Sequence, residues 1–597
     1  MPEQATIPTA NPGAGGTGIP PVPVAENAAT SALTATTSPT TSPTAAPGPI
    51  ESGASPTGTG FAGFVRIIAL LTLISRFAGL VRESIAFKVF GASPIWTAFN
   101  TAFTVPNTFR RLFGEGALTA AFIPEYAALV KSDKSKADAL ARLTMSALLA
   151  FSASIVVVGE VALWLVLSAL APDASGRDVV VFTMVMLPYM PLICATAVLG
   201  GMLQTHGRFI APAASPILFN GCMIAGSTLW AWGIGASLHT SALAVAASVT
   251  VSGIVQLAWS LWALRGIVDW KRGTADVRDN FRAMLKRFVP VTISSGTMQL
   301  GILADQLIAG YPVMFGQKLP WGATYPIDPS GGAVLSYASR LYQFPLGVFG
   351  VAVATAVFPA LARAWATEKD RDRNFAETIR HGVRLSLFIG LPATVGLVVV
   401  GHNLCSVVFS SEVGRADEVA RVANTLMGYS VAVWAYSLTH VFNKAFYAAG
   451  DTKLPMRVSL ITIACNVALN LVLIWPLAEG GLAWATTVTN IGQCVALGWV
   501  ASKRYGTGGV GLFDADTKRG ISMTILGSIV MGCVLIGSAL VWPLAPDASW
   551  IDRALALARD TAVGIGVFGL FAMLTKREEI KWLLERNAGG PGAADFG

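Results

Sequence analysis

Residues 106–126 read PNTFRRLFGEGALTAAFIPEY. Two adjacent arginines, Arg110 and Arg111, and a glutamate, Glu115, interrupt a stretch that is otherwise apolar enough to lie in a bilayer. The surrounding chain explains the setting. Of 597 residues, 53% are hydrophobic and only 13% charged, against about 25% charged in an ordinary soluble domain. The mean hydropathy is +0.59. Apolar runs of about 20 residues recur from end to end, each long enough to cross a membrane as a helix. None shows the period-two alternation of a transmembrane barrel. The sequence therefore predicts an all-α polytopic membrane protein, and the charges in the quoted stretch need a reason.

Fourteen spans are expected. They lie near 61–85, 96–122, 142–171, 178–204, 211–234, 241–264, 286–312, 333–362, 383–409, 419–448, 455–477, 481–502, 520–543 and 556–575. Residues 1–60, rich in Pro, Thr, Ala, Gly and Ser and lacking Lys and Arg, predict a disordered tail. They form no signal peptide, having neither a basic n-region nor an apolar h-region. Lys and Arg concentrate in alternate loops, such as KSDKSK at 131–136 and Arg265 to Arg287. That asymmetry places both termini in the cytoplasm and accounts for the net charge of +8 without nucleic acid. All six cysteines fall in apolar segments with no CxxC pair, so they read as small hydrophobes.

AAFIPEYA (120–127) and TAVFPALA (355–362) echo one another, with Pro124 matching Pro359. They lie six spans apart, and each follows an arginine. The expected organisation is a cytoplasmic tail (1–60), an N-lobe of six helices (61–265), a cytoplasmic linker (266–285), a pseudosymmetric C-lobe of six (286–505), two added helices (506–577) and a cytoplasmic C-terminal tail (578–597).

Arginines within spans carry the chemistry: Arg76 and Arg82 in SRFAGLVRE (75–83), Arg110 and Arg111, and Arg340 in YASRLYQFP (337–345). Each costs about 2.5–3.5 kcal/mol at a helix centre on the insertion scale. They are expected to line a water-filled cavity, the alternative being that some snorkel to the interface. Guanidinium stays charged and grips phosphate oxygens bidentately. A cavity rich in arginine and poor in acid implies an anionic substrate and argues against an exporter of cationic drugs.

SRFAGLVRE, FG (90–91), the quoted stretch and SRLYQFPLGVFGVAVATAVFP (339–359) together closely resemble the MurJ (MviN) family, over about residues 61–510. Members are lipid II flippases of the MOP superfamily, with 14 helices in two pseudosymmetric lobes plus two more. The resemblance implies movement of lipid II, undecaprenyl-diphosphate bearing a disaccharide-pentapeptide, from the inner to the outer leaflet of a bacterial cell membrane for peptidoglycan synthesis. It also implies that Arg76, Arg82, Arg110, Glu115 and Arg340 bind substrate, with an apolar groove for the lipid tail beside the last two spans. Glu115 would orient or restrain an arginine, the alternative being a helix-terminal charge. Many relatives carry acids where Thr97, Ser339 and Gln343 stand here, which puts acid-based gating at those positions in question.

A second cluster is expected from Asp305 in span seven, Asn466 and Asn470 at i, i+4 on span eleven, and Thr486 on span twelve. These hard oxygen donors would hold Na⁺ or pass a proton, or else hydrogen-bond between helices. Gly79 lies between Arg76 and Arg82, and a bend there would bring both into one cavity. Pro188, Pro191, Pro290, Pro345 and Pro392 are candidate kinks. No P-loop, GxSxG or metal-ligand cluster is present, and no enzyme is expected. GTGGVG (506–511) reads as a flexible turn. The competing readings are a flippase for another polyprenyl-linked glycan, a membrane glycosyltransferase, and a transporter-derived scaffold that recruits cell-wall synthesis proteins through its tails.

Overall fold

The computed structural model describes residues 58–111, 117–270, 276–409, 415–506, 511–545 and 548–585. Glu115, most of the N-terminal tail and most of the GTGGVG stretch lie outside them. Among the described residues there is no β-strand, only one isolated bridge between Lys318 and Thr324.

The chain opens with α1 (Gly58–Phe90), which ends where Gly91 takes the left-handed conformation. The next helix, α2 (Pro94–Phe109), is capped by Ser93, whose side chain accepts from the Trp96 N–H, with proline at its start. A wide, π-type turn at 110–111 follows, then α3 (Ala117–Ser132) and α4 (Lys134–Ala169), the latter capped by Asp133. Next come α5 (Arg177–Met186), α6 (Tyr189–Thr205), α7 (Ile210–Thr228) and α8 (Leu238–Ala263). The remaining long elements are α9 (Arg278–Phe315), α10 (Gly331–Pro345), α11 (Val351–Ala366), α12 (Arg371–Val408), α13 (Ala416–Ser430), α14 (Val433–Ala448), α15 (Lys453–Leu477) and α16 (Glu479–Tyr505). Two further long helices, α17 (Ala515–Val541) and α18 (Trp550–Leu574), precede a short one, α19 (Glu578–Glu585). Eight helical segments, counting α5 with α6 and α7 with its π-helical extension as single segments, are long and apolar enough to cross a membrane.

The sequence echo has a structural counterpart. The wide turn at 110–111 separates α2 from the proline-bearing α3, and a π-helical turn at Leu346–Gly350 separates α10 from the proline-bearing α11. The fourth span of each half is also broken, α5 from α6 at Leu187–Pro188 and α13 from α14 at 431–432. Pro188 and Pro345 therefore sit at interruptions, whereas α9 and α12 run as continuous helices through Pro290 and Pro392.

Packing differs between the two ends of the bundle. At one end the halves share a core: Phe87, Phe90, Trp96 and Phe99 from α1 and α2 are buried with Tyr337, Leu341, Cys405, Phe409 and Val433 from the second half. At the other end each half has its own core, one built on Phe122, Tyr126, Leu140 and Leu203, the other on Phe375, Ile379, Phe442 and Leu497. The bundle is joined at one end and divided at the other. Helix α9 packs along α2 and α3 on one side and α15 on the other, and Arg287 at its start pairs with Glu125 of α3 at 2.9 Å.

The joined end is fastened by polar contacts on the turn between α1 and α2. Arg415 Nη1 donates to the Phe87 carbonyl at 2.8 Å, and Glu418 Oε2 accepts from the Ala92 N–H at 2.7 Å. Tyr337 donates to the Gly91 carbonyl at 3.2 Å, and Ser84 donates to the Val408 carbonyl at 2.6 Å. A side chain at 91 would come within 2.6 Å of the Glu418 carboxylate, so close approach as well as positive φ selects glycine there. Thr97, fully buried, accepts from the Ala333 N–H at 3.0 Å and lies against Gly332. Thr97 therefore makes a hydrogen-bonded contact between the halves.

Candidate substrate cavity

Between the halves, next to the shared core, the predicted arginines converge. On α1, Glu83 is only 4% exposed. Its Oε1 pairs with Arg82 Nη2 and lies 3.3 Å from Arg340 Nε. One carboxylate thus serves two guanidiniums from opposite halves. Arg340 lies within electrostatic range of Arg82, Arg110 and Arg111 as well. Its side chain is 34% exposed, so the guanidinium is not sealed within the bundle. Arg110 Nε donates to Asn107 Oδ1 at 3.1 Å, and Arg111 Nη1 donates to Gln299 Oε1 of α9 at 3.3 Å. These amides help to orient the two guanidiniums.

Arg76 lies two turns before Glu83 on α1 and reaches across to the π-helical turn after α10. Its guanidinium lies so close to Gly347 that a Cβ there would overlap Nη1. It has no hydrogen-bond or ion-pair partner among the described residues. Helix α1 is continuous through Gly79, and Arg76 and Arg82 address different neighbours. Arg76 meets the second half, while Arg82 meets α7 through Asn220 (3.1 Å) and Phe219, whose ring centroid lies 5.6 Å from the guanidinium carbon.

The four substrate arginines expected from the sequence thus fall in one region, joined by Arg111. Spacing did not single out Glu83 or Asn220. Glu83 stood in plain view beside Arg82, and an acid adjacent to an intramembrane arginine was the available signal. For Asn220, whose partners are on another helix, no sequence signal existed.

The second expected cluster also assembles. Asn470 Nδ2 donates to Asp305 Oδ1 at 2.6 Å, and Thr486 Oγ1 donates to Asp305 Oδ2 at 3.5 Å. Asn466 lies beside Thr486 (3.2 Å) and Asn470 (3.3 Å). With its amide turned over, Asn466 donates to Asp305 at 3.1 Å, and Asn470 Oδ1 is buried without a hydrogen-bond donor. Three helices, α9, α15 and α16, therefore surround one carboxylate with amide and hydroxyl groups that donate to it. No group of three or more His, Cys, Asp or Glu suited to a metal occurs among the described residues.

A helical bundle of two halves, joined at one end and lined by arginine between them, defines a polytopic membrane transporter. Its fold is similar to a solved structure described as "Lipid II flippase MurJ, inward closed conformation" (TM-score 0.69, 20% identity, covering 86% of this chain and 99% of that one). More distantly it resembles an inward-facing multidrug MATE transporter of the MOP superfamily (TM-score 0.57, 14% identity, 72% and 96% covered). The family model "Lipid II flippase MurJ" matches residues 86–546. A protein of Rhizobium tropici named "Probable lipid II flippase MurJ" is 32% identical over 517 residues, covering 84% of this chain and 92% of the relative. This chain belongs to the MurJ family.

Proposed function

We propose that the chain flips lipid II from the cytoplasmic to the outer leaflet of the bacterial cell membrane by alternating access, supplying peptidoglycan synthesis. The observation that carries this reading is the set of five arginines, Arg76, Arg82, Arg110, Arg111 and Arg340, gathered between the halves, with Glu83 pairing Arg82 and Arg340 across them. A diphosphate is the ligand such a set suits, because planar guanidiniums bind its oxygens in pairs. Glu115 belongs to this proposed binding set through its motif.

The basic loops put the divided end in the cytoplasm, with both termini. Fourteen crossings follow when the end-to-end helix pieces are joined. The headgroup enters the cleft from the divided end, while the polyprenyl tail stays in lipid beside α17 and α18. Rocking of the halves then parts the joined end. Asp305 with Asn466, Asn470 and Thr486 is the proposed coupling site for Na⁺ or a proton. Membrane potential contributes about 2.3 kcal/mol per 100 mV for each charge that crosses.

The test is exposure of lipid II on the outer leaflet of cells depleted of their own flippase. The wild-type chain restores exposure, and Arg110→Ala and Arg340→Ala each abolish it. A well-inserted wild type that restores nothing turns the reading to another polyprenyl-linked glycan, or to a scaffold for cell-wall synthesis proteins.

A further inference from the structure

We propose that Asn220 is a positioning residue, which aims Arg82 at the substrate's diphosphate while leaving the guanidinium's charge undiminished; the inference rests on the flippase reading. Asn220 is 6% exposed on α7, one turn after Pro216. Its amide spans two turns of α1. Oδ1 accepts from Arg82 Nη1 at 3.1 Å, and Nδ2 donates to the Ser75 carbonyl at 3.2 Å. Gly79 lies between those two groups. The amide lies over Gly79, where a Cβ would stand in ordinary contact, 3.9 Å from both amide atoms.

The other groups that α7 presents to Arg82 are neutral too: Met223 Sδ at 3.7 Å from Nη1, and the face of Phe219. Glu83 holds the Nη2 side. Nε has no partner among the described residues. The guanidinium is therefore fixed along one edge by neutral groups and at one corner by the shared carboxylate, with donor capacity remaining for an anion. A carboxylate at 220 would fix the same edge but would place a second negative charge on a residue that already shares Glu83. An amide gives direction without neutralisation, and a pre-aimed donor loses less freedom when ligand arrives.

The experiment measures binding of undecaprenyl diphosphate and undecaprenyl monophosphate to the full-length chain in nanodiscs, for wild type, Asn220→Ala, Asn220→Asp, Arg82→Ala and the Asn220→Ala/Arg82→Ala double variant. Each Asn220 variant is expected to lose about tenfold in affinity for the diphosphate, with a smaller loss for the monophosphate. The double variant is expected to bind no more weakly than Arg82→Ala alone, because Asn220 acts through Arg82. The near-isosteric Asn220→Asp keeps the test available should the alanine variant fold poorly. Wild-type affinity in both Asn220 variants, or losses that multiply in the double variant, would overturn the proposal. A wild-type chain that binds neither lipid sinks the flippase reading and this inference with it.

Discussion

Glu83 holds two arginines apart and together at once. Arg82 and Arg340 come from different halves and would repel each other without the carboxylate between them. Removing one partner of a buried ion pair costs about 3 kcal/mol, so Glu83→Gln should lower the melting temperature of the purified chain. Undecaprenyl diphosphate should restore part of the loss by supplying the missing negative charge. A variant that melts like wild type, or that the lipid does not rescue, would show that the carboxylate does not hold the arginines. The same logic governs Asp305. In Asp305→Ala the amides of Asn466 and Asn470 lose the charge they surround, and any Na⁺ or pH dependence of flipping should vanish. An unchanged ion response would exclude coupling there. This cluster was legible in the sequence because polar residues in apolar helices seek each other, and the i, i+4 spacing of Asn466 and Asn470 marks a face. Asn220 was not legible, since its partners Arg82 and Ser75 lie on another helix, 138 and 145 residues earlier.

At the scale of helices, charge at the ends decides how the last elements attach. Asp514 caps α17 by accepting from the Thr517 N–H at 2.8 Å and pairs with Arg380 of α12 at 3.1 Å. Partial burial raises its pKa, but the Thr517 hydrogen bonds and the Arg380 charge outweigh that, so the carboxyl sits below its ordinary value. A lowered folded pKa stabilises the fold above the unfolded value, near 4, and the contribution is lost as pH falls through the folded pKa. Asp514→Ala should cost about 1 kcal/mol at neutral pH and remove that acid-side component of unfolding. Hydrogen exchange at the start of α17, followed from pH 7 down to 3, would detect both, and an unchanged profile would refute the assignment. Close by, the fully buried Glu579 of the α19 region accepts from Arg384 at 2.9 Å and Arg577 at 2.7 Å, tying the chain after α18 back to α12. The interruption after Pro345 and that at Pro188 were readable from proline chemistry. The break at 431–432 was not, because no proline or glycine stands at it and tertiary packing alone creates it.

The whole molecule moves only if the joined end parts. Arg415 and Glu418 grip the α1–α2 turn through two charge-assisted hydrogen bonds. Losing both, in Arg415→Ala with Glu418→Ala, should favour the outward-open state by about 2 kcal/mol, roughly a thirtyfold change in population. Cys405, fully buried in the shared core, is the reporter: as the sole remaining cysteine it should react with a membrane-impermeant thiol reagent faster in the double variant. Equal rates would mean that the apolar core alone sets the closure. The two-half plan was visible in the echo of Pro124 and Pro359, whereas which end is joined was not, because closure belongs to pairs of residues some 250–330 positions apart.

The stacked rings of the joined end carry one more consequence. Phe90, Trp96 and Phe99 lie face to face at 4.6 and 4.5 Å, with Phe103 next at 6.1 Å, and Phe87 meets Tyr337 and Phe409 at 5.1 Å each. These rings are buried together where the two halves meet. A bacterium stores energy as an ion gradient across its membrane, and a passage wide enough for a sugar headgroup would drain it within moments if both ends opened together. The ring stack is the insulation that prevents such a leak. The two separate cores at the other end must therefore close over their own seam before these rings come apart.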